Sequence, residues 1–144
     1  EAVNFYLGIF KDGRISSTSR FVEAGKEIHG REAGSVMAIA FELFGQTFTA
    51  LNGGPMFKFS EAISLQVNCE TQAEIDELWE KLGAGGDPQA QQCGWLKDKF
   101  GLSWQIVPSI MPELFSSPDK AKQERTMNAM LKMKKLDIHG LLNA

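Results

Sequence analysis

Apolar positions along this chain recur first with a period near 3.6, then with a period of two, and then the same order of elements begins again. Val3, Tyr6, Leu7 and Phe10 show the i, i+3, i+4, i+7 spacing of an amphipathic helix, ended by Asp12-Gly13. Ile15 to Val22 alternates loosely. Val36 to Phe44 alternates clearly and places Met37, Ile39, Phe41 and Leu43 on one face of a strand. Gly45-Gln46 is expected to turn that strand tightly into a partner over Thr47 to Asn52. The charged, glycine-bounded stretch from Gly25 to Gly34 is expected to be a loop.

Asn52-Gly53-Gly54-Pro55 interrupts the pattern. Ala62 to Asn68 then predicts a strand with Ile63, Leu65 and Val67 on one side and Ser64, Gln66 and Asn68 on the other. Thr71-Gln72-Ala73-Glu74 is a capping box, because the Thr71 hydroxyl can accept from the Glu74 N–H while the Glu74 carboxylate reaches back to the Thr71 N–H. The helix it opens carries Ile75, Leu78, Trp79 and Leu82 and stops near Gly83. Cys93 to Pro108 reads as a β-hairpin with a polar turn at Asp98, closed by Gly101. In its second strand Leu102, Trp104 and Ile106 face one way, and Ser103, Gln105 and Val107 the other. By the same alternation Trp104 is expected to face the helices and Gln105 a pocket. The first half is thus helix, strand, strand, strand, and the second is strand, helix, short strands. A further strand before Glu1 would make the halves equivalent repeats, and its presence is expected.

The tail is a separate element. Ser117-Pro118-Asp119 supplies an N-cap, a proline at the first helical position and an early acidic residue. Met127, Met130, Leu131 and Met133 form an apolar stripe, and Ile138, Leu141 and Leu142 are expected to complete its docking on the domain or on a dimer mate.

Composition narrows the function classes. A chain of 144 residues that is 43% hydrophobic can bury a core as one domain of two small repeats. The expected divisions are module one over about 1–55, module two over about 60–110 and a helical tail over about 117–144. No run of eighteen apolar residues and no N-terminal signal pattern is present, so neither a membrane partner nor secretion is supported and the expectation is cytoplasmic. A net charge of -3 argues against a nucleic-acid partner, which needs a basic face to neutralise phosphates. Cys69 and Cys93 lie far apart with no zinc-type spacing, which fits reduced thiols.

Several segments together carry a resemblance. They are Ala2-Val3-Asn4-Phe5-Tyr6, Ala50 through Pro55, Glu61-Ala62-Ile63-Ser64, Leu78-Trp79, the block from Cys93 through Lys99 and Ser103 through Pro108, and the tail from Ala129 to Ile138. The chain resembles the PhnB-like, 3-demethylubiquinone methyltransferase-like branch of the vicinal-oxygen-chelate superfamily, the group of glyoxalases, bleomycin-resistance proteins and extradiol dioxygenases. The resemblance implies an α+β fold of paired βαβββ modules forming a cupped mixed sheet, with the first strand of module one outside these residues. It also implies a homodimer. Enzymes of the superfamily hold a divalent metal with His and Glu side chains from the first and last strands of each module. Carried over, those positions fall near Asn52, at Ala62 or Ser64, and at Gln105, where many relatives have Glu.

These residues point away from a metal. An amide is a weak neutral ligand and alanine is none, whereas zinc, manganese or nickel sites want imidazole or carboxylate. His29, in the expected loop, and His139, in the tail, read as surface histidines. Glu42 either points into the cup beside Asn52 or lies outward. Asp98 and Lys99 read as turn and solvation residues, Cys93 as a structural thiol. Gly53-Gly54-Pro55 leads into a strand, so it lacks the helix start of a phosphate cradle, and Gly83 to Gly86 ends a helix. No strand, glycine loop and helix fingerprint supports methyl transfer. The expectation is therefore a small-molecule binding protein with no metal and no cofactor. Its ligand would meet Asn52, Ser64, Gln66, Trp95 and Gln105, with Phe57 as a further apolar contact. The alternative is a divalent-metal-dependent lyase, isomerase or dioxygenase completed by the additional strand or by a second subunit.

Overall fold

A computed structural model describes residues 1–144. The chain divides into two units, Glu1–Lys58 and Phe59–Ala144.

The N-terminal unit begins with α1 (Ala2–Ile9), whose Val3 and Tyr6, with Phe10 just beyond it, are buried as their helical spacing requires. The helix packs on a three-stranded antiparallel meander of β1 (Arg14–Arg20), β2 (Val36–Leu43) and β3 (Gln46–Leu51). Phe41 and Leu43 of β2 are buried, and Phe41 stacks on Phe48 across the ladder. The turn between β2 and β3 falls one residue earlier than expected, at Phe44-Gly45, because Leu43 pairs with Gln46. Both turn residues have positive φ, 51° and 72°, as a two-residue hairpin of this hand requires. An aromatic residue is held in that conformation by two contacts: its N–H donates to Asp12 Oδ2 at 3.0 Å, and its ring meets Phe10 edge-on at 5.2 Å. The stretch expected to be a loop contains one helical turn, α2 (Lys26–His29), bounded by Gly25 and Gly30, both left-handed. Only glycine enters those dihedrals without strain, so the turn starts and stops within four residues.

In the C-terminal unit, β4 (Leu65–Cys69) is followed by α3 (Gln72–Gly83), a 3-10 turn over Pro88–Ala90, β5 (Trp95–Lys97) and β6 (Ser103–Pro108). The sheet order is β4-β6-β5, with β4 parallel and β5 antiparallel to the central β6. The Thr71 capping box forms as its sequence requires. One face of the sheet, carrying Leu96, Trp104 and Ile106, is buried together with Ile75 and Leu82 of α3. The strand expected from Ala62 begins only at Leu65, and Ile63 is exposed. The first pair of the ladder is Leu65 with Trp104, so residues 62–64 have no partner strand to hold them extended.

Three helices close the unit: α4 (Met111–Ser116), α5 (Lys120–Met130) and α6 (Ile138–Leu142). The N-cap of α5 is Asp119, which accepts from the Lys122 N–H at 3.1 Å; Ser117 and Pro118 precede the helix. The Asp119 carboxylate, two residues later, takes a free amide of the first turn, while the Ser117 hydroxyl accepts from the Asp119 N–H instead. The tail docks through Leu136 and Leu141, which are buried with Leu114, while Met127 and Leu131 of the expected stripe are exposed. Gln72 clamps it: its Nε2 donates to the Leu136 carbonyl at 3.1 Å and its Oε1 accepts from the Ile138 N–H at 2.8 Å. Thr126 of α5 is fully buried and its hydroxyl has no hydrogen-bond partner. Thr126→Val keeps the shape and removes an unpaired polar atom, so it is expected to raise stability by about 1 kcal/mol, measured as a higher urea midpoint at unchanged slope. No helix is long and apolar enough to cross a membrane.

Candidate functional site

Strand pairing turns the alternation of β4 and β6 into a surface. Gln66 lies opposite Gln105 and Gln105 opposite Trp95, so three side chains from three strands form one row on the face turned away from α3. Asn68 and Val107 make the next row. Gln105 and Trp95 are half-buried and Gln66 is exposed, so the row is open to an incoming molecule.

Hydrogen bonds orient the amides. Gln105 Nε2 donates to Ser64 Oγ at 2.9 Å and Gln66 Nε2 donates to Asn68 Oδ1 at 2.8 Å. Each glutamine therefore commits one of its two amide hydrogens to a neighbour, which fixes the plane of the amide, and keeps its carbonyl oxygen as an acceptor. Beside Trp95 on the same face of β5, Lys97 hydrogen-bonds Glu61, which holds the Glu61 carboxyl below its ordinary range. The face thus offers neutral acceptors, one hydroxyl, one indole and a compensated ion pair. It suits a polar organic molecule with N–H or O–H groups and a flat apolar part.

Of the five residues expected to bind a ligand, Ser64, Gln66, Trp95 and Gln105 are brought together on this face, all in the C-terminal unit. Asn52 follows β3 in the N-terminal unit, where its N–H and its side-chain amide donate to the carbonyls of Met37 and Val36, both at 2.9 Å. Phe57 is exposed. Glu42 lies on the side of β2 opposite Phe41 and Leu43 and is ion-paired with Arg14 at 2.8 Å. Asp98 is buried and accepts from the turn's own amides, as a turn residue should, and also from the Trp104 indole. Cys93 lies against the Met130 carbonyl and Cys69 is buried, with burial and the nearby charges of Glu74 and Glu70 pushing its thiol up to about 11.

The ligand set that the superfamily uses for a metal does not fit here. Of the carried-over positions, Gln105 and Ser64 hold an amide and a hydroxyl bonded to each other, Ala62 has no donor atom, Asn52 gives its amide to the Val36 carbonyl, and no three His, Cys, Asp or Glu side chains converge anywhere in the chain. Two partnerships escaped the sequence reading. Lys97 with Glu61 joins residues 36 apart, and His29 with Phe21 forms a ring contact at 4.6 Å. The only signal for the second was the pair of glycines flanking the turn that carries His29.

Comparison with known proteins agrees with this architecture. A family model described as 3-demethylubiquinone-9 3-methyltransferase matches residues 1–107. Among solved structures, the PhnB protein of Bacillus cereus is 36% identical, covers 75% of this chain and 88% of its own, and superposes with a TM-score of 0.63. A protein of Pseudomonas aeruginosa, at 18% identity and a TM-score of 0.55, covers 74% of this chain and 86% of its own and shows the likeness of fold alone. No curated protein matches the chain.

Proposed function

We propose, since this chain belongs to the PhnB-like 3-demethylubiquinone-9 3-methyltransferase family, that it binds a small polar organic molecule on the Gln66, Gln105 and Trp95 row. Membership of a glyoxalase-fold family supports small-molecule binding as the general role. The observation that carries the finer reading is the row itself: two amide carbonyls and an indole aligned across three strands on the face that α3 leaves open. Hydrogen bonds to neutral acceptors fix orientation, and the indole supplies contact area.

Methyl transfer finds little support in the local structure. Gly53-Gly54 is followed by irregular chain, and Gly83 to Gly86 ends α3, so neither presents a helix start to a cofactor. A neutral amide row likewise favours binding over metal-assisted chemistry.

Gln105→Ala tests this reading. A thermal-shift screen of small hydroxylated and amide-bearing aromatic compounds should yield ligands that raise the midpoint of the unmodified protein. In the variant that gain should vanish while the fold is retained, and binding should weaken about tenfold or more, as for loss of a buried hydrogen bond in a pocket. Elemental analysis of the same preparations supplies the opposing outcome: one tightly bound transition metal per chain, lost in Gln105→Ala, would replace the binding reading with a metal-dependent enzyme.

A further inference from the structure

The N-terminal unit holds a cavity of about 540 Å³ between the α2 turn, the start of β2 and the Leu51 to Met56 segment. Its walls are apolar where Phe21, Met37, Leu51 and Met56 contribute, and Leu51 and Met56 are 67% and 82% exposed. Apolar side chains of that size left open around one concavity are unusual enough to ask what covers them.

Two side chains that line it, His29 and Arg31, keep side-chain donors that no protein acceptor takes. His29 Nδ1 accepts from the Arg31 N–H at 3.0 Å, so in the neutral ring the proton sits on Nε2. The ring is fixed against Phe21 at 4.6 Å, and no protein acceptor meets Nε2. Arg31 itself makes no ion pair. The carboxylates of Glu23 and Glu32 on the same segment are taken by Lys26, at 3.4 and 3.1 Å, and Arg20 is committed to the Gly34 carbonyl. The Arg31 guanidinium lies close to Gly54, where an added Cβ would make only an ordinary contact at 3.7 Å with Nη2 and where the positive φ of 86° favours glycine. Asn52, which also lines the cavity, gives its backbone N–H and one side-chain amide hydrogen to β2 and keeps its side-chain oxygen as an acceptor.

The geometry points to a second binding site, for a carboxylate with an apolar body. Arg31 and the His29 Nε2–H would receive the carboxylate, the fork of the guanidinium matching its two oxygens, while Met37, Leu51, Met56 and Phe21 cover the hydrocarbon or ring. A simple anion would use only half of this surface, and a neutral apolar compound only the other half. The site shares no residue with the Gln105 row and does not depend on it.

Calorimetry with phenylacetate as the probe tests the site, with phenylacetamide, acetate and inorganic phosphate as comparisons. Phenylacetate should bind, phenylacetamide and the two small anions at least tenfold more weakly, and Arg31→Gln should weaken phenylacetate about tenfold or more with Arg31→Lys restoring part of the loss. Arg31 is exposed, so both variants should keep the parent unfolding midpoint. Nitrogen shifts of the His29 ring should move on titration with phenylacetate in the parent protein. Gln105→Ala should leave phenylacetate binding intact, which separates failure of this site from failure of the sheet-face reading. Equal affinity for phenylacetate and phenylacetamide, binding of phosphate or acetate as tight as phenylacetate, or an Arg31→Gln variant that binds like the parent would each overturn the proposal.

Discussion

Asp98→Ala should destabilise the C-terminal unit by roughly 4 kcal/mol, the largest effect expected from any single polar substitution in this chain. Asp98 is 2% exposed. Its Oδ1 accepts from the N–H of Phe100 at 2.8 Å and of Leu102 at 3.1 Å, and its Oδ2 accepts from the Trp104 indole N–H at 2.9 Å. One carboxylate therefore shapes the β5 to β6 turn and also pairs the buried end of the tryptophan that anchors the sheet to α3. Hydrogen bonds to a charged group contribute about 1.5 to 3 kcal/mol each, and alanine would strand two amides and an indole without a partner. The sum is less than additive because the turn can open to water. Asp98→Asn keeps one acceptor but sets an amide donor or a lost turn bond against the rest, so an intermediate loss of about 2 kcal/mol is expected. Trp104→Phe in the Asp98→Ala background should add less than it does alone, since one donor is already unpaired. Urea unfolding followed by tryptophan fluorescence measures the four variants against the parent, and a loss below about 1 kcal/mol for Asp98→Ala would show that the turn does not depend on this carboxylate.

Gly86→Ala is expected to cost roughly 3 kcal/mol or more, although the residue is neither in a helix nor in a positive-φ conformation. A side chain there would land on the carbonyl oxygen of Lys97, and within 3.1 Å of the Lys97 carbonyl carbon and 3.3 Å of that of Asp98. Every one of those atoms is backbone, so no rotamer can yield and β5 itself must move. That strand pairs Lys97 with Ser103 and leads directly into Asp98, so its displacement loosens the same turn. The control is Gly83→Ala, where the nearest atom is the Gln91 side-chain amide at 3.5 Å and alanine is the better helix former. That variant should be neutral or slightly stabilising. Similar losses for the two substitutions would mean that glycine freedom, and not the close approach at residue 86, governs this segment. Because Gly86 and Asp98 act on one turn, the double variant should fall short of the sum of the singles.

Elements whose information is local are legible along the chain. The Thr71 capping box needs four consecutive residues, α1 needs three apolar positions at helical spacing, and the hairpin needs two alternating strands around Asp98 and Gly101. Local chemistry also separated the faces of β6, so Trp104 inward and Gln105 outward followed from a period of two. It failed where a boundary depends on a distant partner: β4 begins at Leu65 because Trp104, 39 residues away, is where its ladder starts. The parallel pairing that lines Gln66 up with Gln105 and Trp95 has the same origin. Strand register between remote segments is set by the summed packing of a whole face, and no window of adjacent residues contains that sum. The cavity beside Arg31 was legible only as glycines and charges. Its walls come from the ends of β2 and β3 and from one helical turn, and the hydrogen bonds that aim His29 and Asn52 exist only once those backbones have met.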